Sequence, residues 1–285
     1  MIKPILQGEA FLADVKEAGK NKRELNLWWL GQSGFLLQFH GAHALIDPYL
    51  SDSLTVKYAA TDKPHVRMTE LVVTPERLDF IDVATSSHNH TDHFDPETLN
   101  PLLEVNPKLK LILPEANRAI GAERLKMDPR DPRLIEANAG DTKAVGTVRF
   151  HGIPAAHNEL DTDDRGHHKF LGYIIELGRW RIYHSGDSKL FPGIEDWVRP
   201  FRPDIAILPI NGDLPERRVA GNFAGPEAAK LAKDIGTKIV IPCHYDMFEF
   251  NTVTPDLFVK SCETIGQKFK VMQSGERWSA SELVG

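Results

Sequence analysis

The chain has 285 residues, 41% of them hydrophobic and 26% charged, with a formal net charge of −6. This is length and apolar content enough for one sizeable core, and no run of roughly eighteen apolar residues offers a membrane span. The acidic balance, without a long basic run, argues against nucleic acid as a partner, because binding its backbone needs clustered Lys and Arg.

Residues 4–18 place Ile5, Leu6, Phe11, Leu12 and Val15 on one side of an amphipathic helix. Residues 1–23 therefore read as an N-terminal helical extension, and 24–285 as a single domain. Three strand-like segments follow, "LNLWWL" (25–30), "FLLQFH" (35–40) and "HALID" (43–47), joined by glycine-bearing turns. Trp28 and Trp29 belong to the core. Residues 81–85 form a short buried strand that Ser86 and Ser87 break. "LKLIL" (109–113) is another strand, followed by a helix over 114–126 with proline in its first turn. "TVRFHGIPA" (147–155) is strand-like. "FLGYIIEL" and "WRIYH" make a hairpin around Gly178 and Arg179. Then come strand 205–210, helix 225–236, strand 237–244, a helix over about 255–266, and a strand "KFKVMQ" (268–273). Hairpins followed by strand–helix units, twice over, predict an α/β protein with two mixed sheets packed together and helices outside. Two long polar loops, 157–169 and 211–224, are of the kind that often carries function.

The stretch "ATSSHNHTDHFD" gathers His88, His90, Asp92, His93 and Asp95 at the carboxyl end of the 81–85 strand, where α/β proteins tend to place their chemistry. On an extended loop, residues 88 and 90 point the same way and can grip one metal, while Asp92 and His93 follow where the chain turns and can face a second. Imidazoles with carboxylates suit Zn²⁺ first, with Mn²⁺ or Fe²⁺ as alternatives; a mononuclear structural zinc site would recruit cysteine. His157, Asp187 and His244 each stand just past a strand-like segment and supply further ligands. Each alone would more often be a capping or core polar group. A carboxylate has two oxygens, which makes Asp187 the natural bridge between two ions.

Taken together, "HNHTDH", His157, Asp187 in "SGD" and His244 resemble the metal-binding motifs of the metallo-β-lactamase-fold hydrolases, in that family's order. Within the superfamily, "WWLGQSGF", "IYHSGDS" and "IPCHYDMF" are most similar to the L-ascorbate-6-phosphate lactonase-like group. The resemblance implies an αββα sandwich with the metals at one edge of the sheets. It implies that His88, His90 and His157 bind one metal, Asp92, His93 and His244 the other, and Asp187 both.

Several other residues are candidates. Asp47, in "LIDP", either accepts a hydrogen bond that orients a ligand histidine or simply ends a strand. His184 either supports the ligands in the same way or is a satisfied core histidine. Cys243 adjoins His244 but points the other way on a strand. Arg165, His167, His168 and Lys169 form an anion-friendly group, and His168 is the one expected to touch substrate.

Two divalent ions set against Asp92 and Asp187 leave a net positive centre suited to a small anionic substrate. A metal-bridging hydroxide, available near neutral pH, would attack an ester or lactone, with Asp92 orienting or deprotonating the water. The alternative is a phosphodiesterase acting on a cyclic phosphate, phospholipid or nucleic acid. A diiron oxidoreductase and a catalytically silent binding protein fit less well. Two cysteines, Cys243 and Cys262, are too few for a disulfide framework, and "MIKPILQGEAFLADVKEAGK" has no uninterrupted apolar signal core, so the cytoplasm is the expected compartment. The sequence is compatible with a homo-oligomer.

Overall fold

The computed structural model describes residues 1–283. The first half of the chain runs α1 (Glu9–Ala18), β1 (Asn26–Gly31), β2 (Gly34–Phe39), β3 (Ala42–Ile46), α2 (Ser53–Tyr58), β4 (Val83–Thr85), α3 (Pro96–Val105), β5 (Lys110–Pro114), α4 (Arg118–Leu125) and β6 (Leu134–Ala137). The second half runs β7 (Thr142–Val145), β8 (Val148–Pro154), β9 (Leu171–Leu177), β10 (Trp180–His184), α5 (Ile194–Val198), β11 (Ile205–Pro209), α6 (Gly225–Asp234), β12 (Ile239–Cys243), α7 (Asp256–Ile265) and β13 (Arg277–Ser279).

Two mixed sheets result, in the orders β13-β1-β2-β3-β4-β5-β6 and β12-β11-β10-β9-β8-β7. In each, an antiparallel meander gives way to parallel strands: β3, β4, β5 and β6 in the first sheet, and β10, β11 and β12 in the second. The repeated plan read from the sequence is therefore the architecture, an αββα sandwich.

Strand alternation divides the apolar residues of the first sheet between two cores. Trp29, Phe35, Leu37, Ile46, Val83 and Ile112 point inward and meet Phe150, Tyr173, Ile175 and Ile182 of the second sheet. Trp28, Leu36, Leu45, Ala84, Leu111 and Leu113 point outward and pack with Phe11 and Val15 of α1, Leu99 and Leu102 of α3, and Ala122 of α4. A strand covered on both faces reads as a near-continuous apolar run, as β1 and β5 do. Among the described residues no helix is long and apolar enough to cross a membrane.

Three predicted elements are corrected. The first helix starts at Glu9 rather than residue 4: Gly8 takes φ 54, and Ile2 instead bridges to Thr69. The 114–126 helix opens with a 3-10 turn, Glu115–Asn117, and is α-helical only from Arg118. Residues 268–273 make one bridge, Phe269 to Val240, and β13 takes the free edge of β1. Helix α3 was not foreseen. Its start is marked by Asp95, whose side chain accepts from the Glu97 amide, and by Pro96 at the first helical position.

Candidate metal centre

All the predicted ligand residues follow the carboxyl ends of strands at one edge of the sandwich. His88, His90, Asp92 and His93 come after β4, His157 after β8, Asp187 after β10, and His244 directly after β12. The fold groups them in two sets. One ligand-type atom from each of His88, His90 and His157 lies within 4.8 Å of the others, and so do those of Asp92, His93, Asp187 and His244. Each set draws on both sheets.

Local backbone is bent to achieve this. Gln32, Asp47 and His244 have φ of 50, 42 and 64, left-handed conformations that non-glycine residues avoid unless their surroundings impose them. Gly186 (φ 60) turns the chain just before Asp187, and a Cβ there would lie 2.6 Å from both the Leu171 carbonyl oxygen and Ser87 Cβ. Arg124 of α4 donates to the carbonyls of Asn89 and Phe94 and so fastens the ligand loop from outside.

Hydrogen bonds fix which ring nitrogen faces the centre. His157 Nδ1–H donates to the Gly221 carbonyl at 2.9 Å, leaving Nε2 as the free lone pair. His93 Nδ1–H donates to Asp47 Oδ2 at 2.7 Å, and its Nε2 lies 3.4 Å from Asp187 Oδ2. Asp47 in turn accepts from the Ser87 amide and the Thr85 hydroxyl. His88 Nδ1 lies 2.9 Å from Ser87 Oγ. The Nε2 atoms of His88 and His93 are buried with no hydrogen-bond partner among the described residues. Buried nitrogens left this way cost free energy unless a cation takes the lone pair, so the donor set fits a metal.

The electrostatics agree. Burial pushes His157 down to about 4, and burial together with neighbouring imidazoles holds His88 well below the usual histidine range, so both present neutral rings. Burial opposes ionisation of Asp187, yet the His244 and His93 imidazoles outweigh it and hold the carboxyl well below its usual range. Burial also disfavours charge on His93, but the Asp187 and Asp92 carboxylates and the Asp47 bond raise it well above its usual value.

The remaining candidates divide clearly. His184 Nε2–H donates to the Ser33 carbonyl at 2.9 Å and its Nδ1 accepts from Gly186, so it braces the turn before Asp187. The buried Cys243 side chain belongs to the inter-sheet core, and burial pushes its thiol well above the usual range. His168 does not reach the cleft over the two sets; its Nδ1 lies 3.3 Å from Asn138 Oδ1, and Arg165 pairs with Glu115 and Asp163. Loop 157–169 folds on itself through Asp163 to His167 and Lys169 to Asp161 backbone bonds. Loop 211–224 does border the cleft, through Val219, Ala220 and Asn222.

Sequence reasoning missed Gln32, read only as part of a turn. Its Nε2 donates to Asp92 Oδ2 at 2.8 Å and lies 3.0 Å from His244 Nε2, while its backbone carbonyl accepts from the His244 amide.

Comparison with known proteins agrees with this geometry. Residues 26–244 match the family described as the β-lactamase superfamily domain. The chain belongs to this superfamily. A "UPF0173 metal-dependent hydrolase" of Saccharolobus solfataricus is 28% identical over 254 residues, covering 88% of this chain and 97% of that relative. Among solved structures, a metallo hydrolase of Ignicoccus hospitalis superposes with a TM-score of 0.65 at 21% identity, covering 90% of this chain and 98% of that one. An isothiocyanate hydrolase from Delia radicum gut bacteria gives 0.68 at 20% identity, covering 89% and 98%. At these identities the structural likeness speaks for the fold. The relative's name, metal-dependent hydrolase, fits the donor set gathered here.

Proposed function

We propose that the chain is a dinuclear hydrolase of a small ester or lactone. His88, His90 and His157 would hold one divalent ion, Asp92, His93 and His244 the other, and Asp187 would reach both, with zinc the first choice and manganese or iron the alternatives. The observation that carries this reading is the position of Asp187. Its Oδ2 lies 3.2 Å from His244 Nε2 and 3.4 Å from His93 Nε2 in one set, and 3.9 Å from His157 Nε2 in the other.

Bound divalent ions supply Lewis acidity and make water acidic enough to act as a nucleophile near neutral pH. The protein supplies the rest. Asp47, Ser87 and the Gly221 carbonyl hold the imidazoles in the tautomers that offer Nε2 inward. Asp92 borders the cleft, its Oδ2 held by Gln32, and is placed to orient the attacking water and receive its proton. The likeness of "WWLGQSGF", "IYHSGDS" and "IPCHYDMF" to the lactonase-like group makes a lactone the first substrate to test.

Elemental analysis of chain purified without chelator is expected to give about two metal equivalents, since seven ligand residues exceed what one four-coordinate ion needs. A firm value of one, unchanged in His244→Ala, overturns the dinuclear assignment. Assayed side by side, lactones and carboxylic esters are expected to outpace cyclic and open phosphodiesters; the reverse order replaces this reading with a phosphodiesterase.

A further inference from the structure

Beside the metal centre stands a group of aromatic rings that neither main core uses. Tyr49, Leu54, Met247 and Phe248 form a small separate cluster, with Tyr58 and Phe250 packed against it. His65 joins these rings. It stacks on Tyr58 with centroids 4.1 Å apart and planes 21° from parallel, and lies 4.4 Å from Phe250 and 5.4 Å from Phe248. Tyr58, His65 and Phe250 are only half-buried, and with Phe248 they line the same cleft of about 550 Å³ as His90, Asp92 and Asp187. Contiguous apolar rings left open in a concavity mark a binding surface.

The wall is held in place before any ligand arrives. Thr55 Oγ1 donates to the His65 carbonyl at 2.7 Å, and His65 Nδ1–H donates to the Lys63 carbonyl at 3.1 Å. The buried Arg67 side chain ties Asp52, Ser51, Thr69 and Met247 together beneath it. Flat side chains with few free torsions make contact area at low entropic cost.

The cations around the cleft are mostly committed. Arg124 serves the Asn89 and Phe94 carbonyls. Arg217 serves the carbonyls of Asn211 and Thr252, Arg218 pairs with Asp62, and Lys63 Nζ donates to the Arg218 carbonyl at 2.7 Å. Lys57 borders the cleft, 5.1 Å from the Tyr58 ring centroid, with no carboxylate partner among the described residues. A phosphate group is normally met by an uncommitted arginine fork or a nest of backbone amides, and one lysine is neither.

We propose that the Tyr58–His65–Phe250 wall receives a planar, unsaturated part of the substrate, so that this site takes aryl or similarly flat esters or lactones with at most one remote negative charge, rather than phosphorylated sugars. This rests on the hydrolase reading for the word ester, but the surface itself is testable without turnover. The probes are 2-naphthoate, cyclohexanecarboxylate and glucose 6-phosphate, titrated calorimetrically into the zinc-loaded full chain. 2-Naphthoate is expected to bind tightest. The Tyr58→Ala/Phe250→Ala double variant should weaken it about tenfold at unchanged zinc content. Should that variant fold poorly, Tyr58→Leu and Phe250→Leu keep apolar volume while removing the flat face, and each should lower the preference for naphthoate over cyclohexanecarboxylate. Tighter binding of glucose 6-phosphate, or naphthoate affinity unchanged in the variants, overturns the proposal. Intact naphthoate binding in a protein that hydrolyses no ester would remove the hydrolase reading and leave this surface standing.

Discussion

Asp47 Oδ2 lies 2.7 Å from His93 Nδ1, with both side chains fully shielded from solvent. The carboxylate fixes the tautomer and the tilt of the ring, and so aims Nε2 at the ligand set containing Asp92, Asp187 and His244. Residues in this position typically contribute ten- to a hundredfold to metal affinity. Asp47→Ala is therefore expected to weaken zinc binding by about that factor in chelator competition. Asp47→Asn, which keeps an acceptor for the Ser87 amide, should lose less. Wild-type affinity in Asp47→Ala would show that the pair does not orient the ligand.

Gln32 touches one ligand set and not the other. Gln32→Leu keeps the side-chain bulk but removes the Nε2 donor from Asp92 and from the neighbourhood of His244. Loss of one hydrogen bond to a charged group corresponds to about 1.5–3 kcal/mol, or about tenfold or more. Stepwise zinc titration should show one equivalent weakened by that amount and the other nearly unchanged. Equal weakening of both steps would point to a general disturbance of the fold.

Metal binding should release a proton, and the two sets should differ in pH dependence. In the metal-free protein, burial disfavours charge on His93, but Asp187, Asp92 and Asp47 raise it well above the usual range, so a proton is present for an incoming cation to displace. His157 is pushed the other way, to about 4, and is already neutral. Affinity at the Asp92, His93 and His244 set should thus fall already as pH drops from alkaline through neutral, because the raised His93 holds its proton above the usual histidine range. Affinity at the His88, His90 and His157 set should hold until the pH approaches about 4. Calorimetric titration in buffers of different ionisation heat measures the released proton directly, and buffer-independent heats would contradict the assignment.

Gly186→Ala should be costly and Gly41→Ala much less so. Both residues have positive φ, 60 and 83, but a Cβ on Gly186 meets Leu171 and Ser87 at 2.6 Å, whereas one on Gly41 meets nothing within 4 Å. Backbone strain alone is worth about 1 kcal/mol, and the clash adds to it and displaces Asp187. Thermal denaturation should rank Gly186→Ala clearly below Gly41→Ala, and only the former should lose metal. Equal melting temperatures would mean that the turn yields freely.

The candidate ligands were legible as a group because each stands where an apolar run ends, and four of them share one short stretch. Their supports were not. Gln32 lies 60 residues from Asp92, and the Gly221 carbonyl 64 from His157, and only the closed sandwich brings them together. His168 is expected to touch substrate because the charged group around it invites that reading, whereas Asn138 takes up its ring outside the cleft lining, and Glu115 and Asp163 pair with Arg165. Nothing in the sequence marks Tyr58 and Phe250, and their place in the cleft wall appears only once α2 is set against the segment after β12. The sheets followed from periodicity; β13 did not, because "RWS" is too short to show one.

Neither half of the molecule owns a complete ligand set. His88 and His90 leave the first sheet and His157 the second; Asp92 and His93 leave the first, Asp187 and His244 the second. An ion in either position would therefore rivet the two sheets together at one edge, closing long chain loops much as a disulfide does. The two cysteines, Cys243 and Cys262, are both free and buried, so no covalent staple performs that task. On the dinuclear reading the cations would be cross-links as well as reagents, and stripping them should loosen the sandwich first along the edge that carries the cleft.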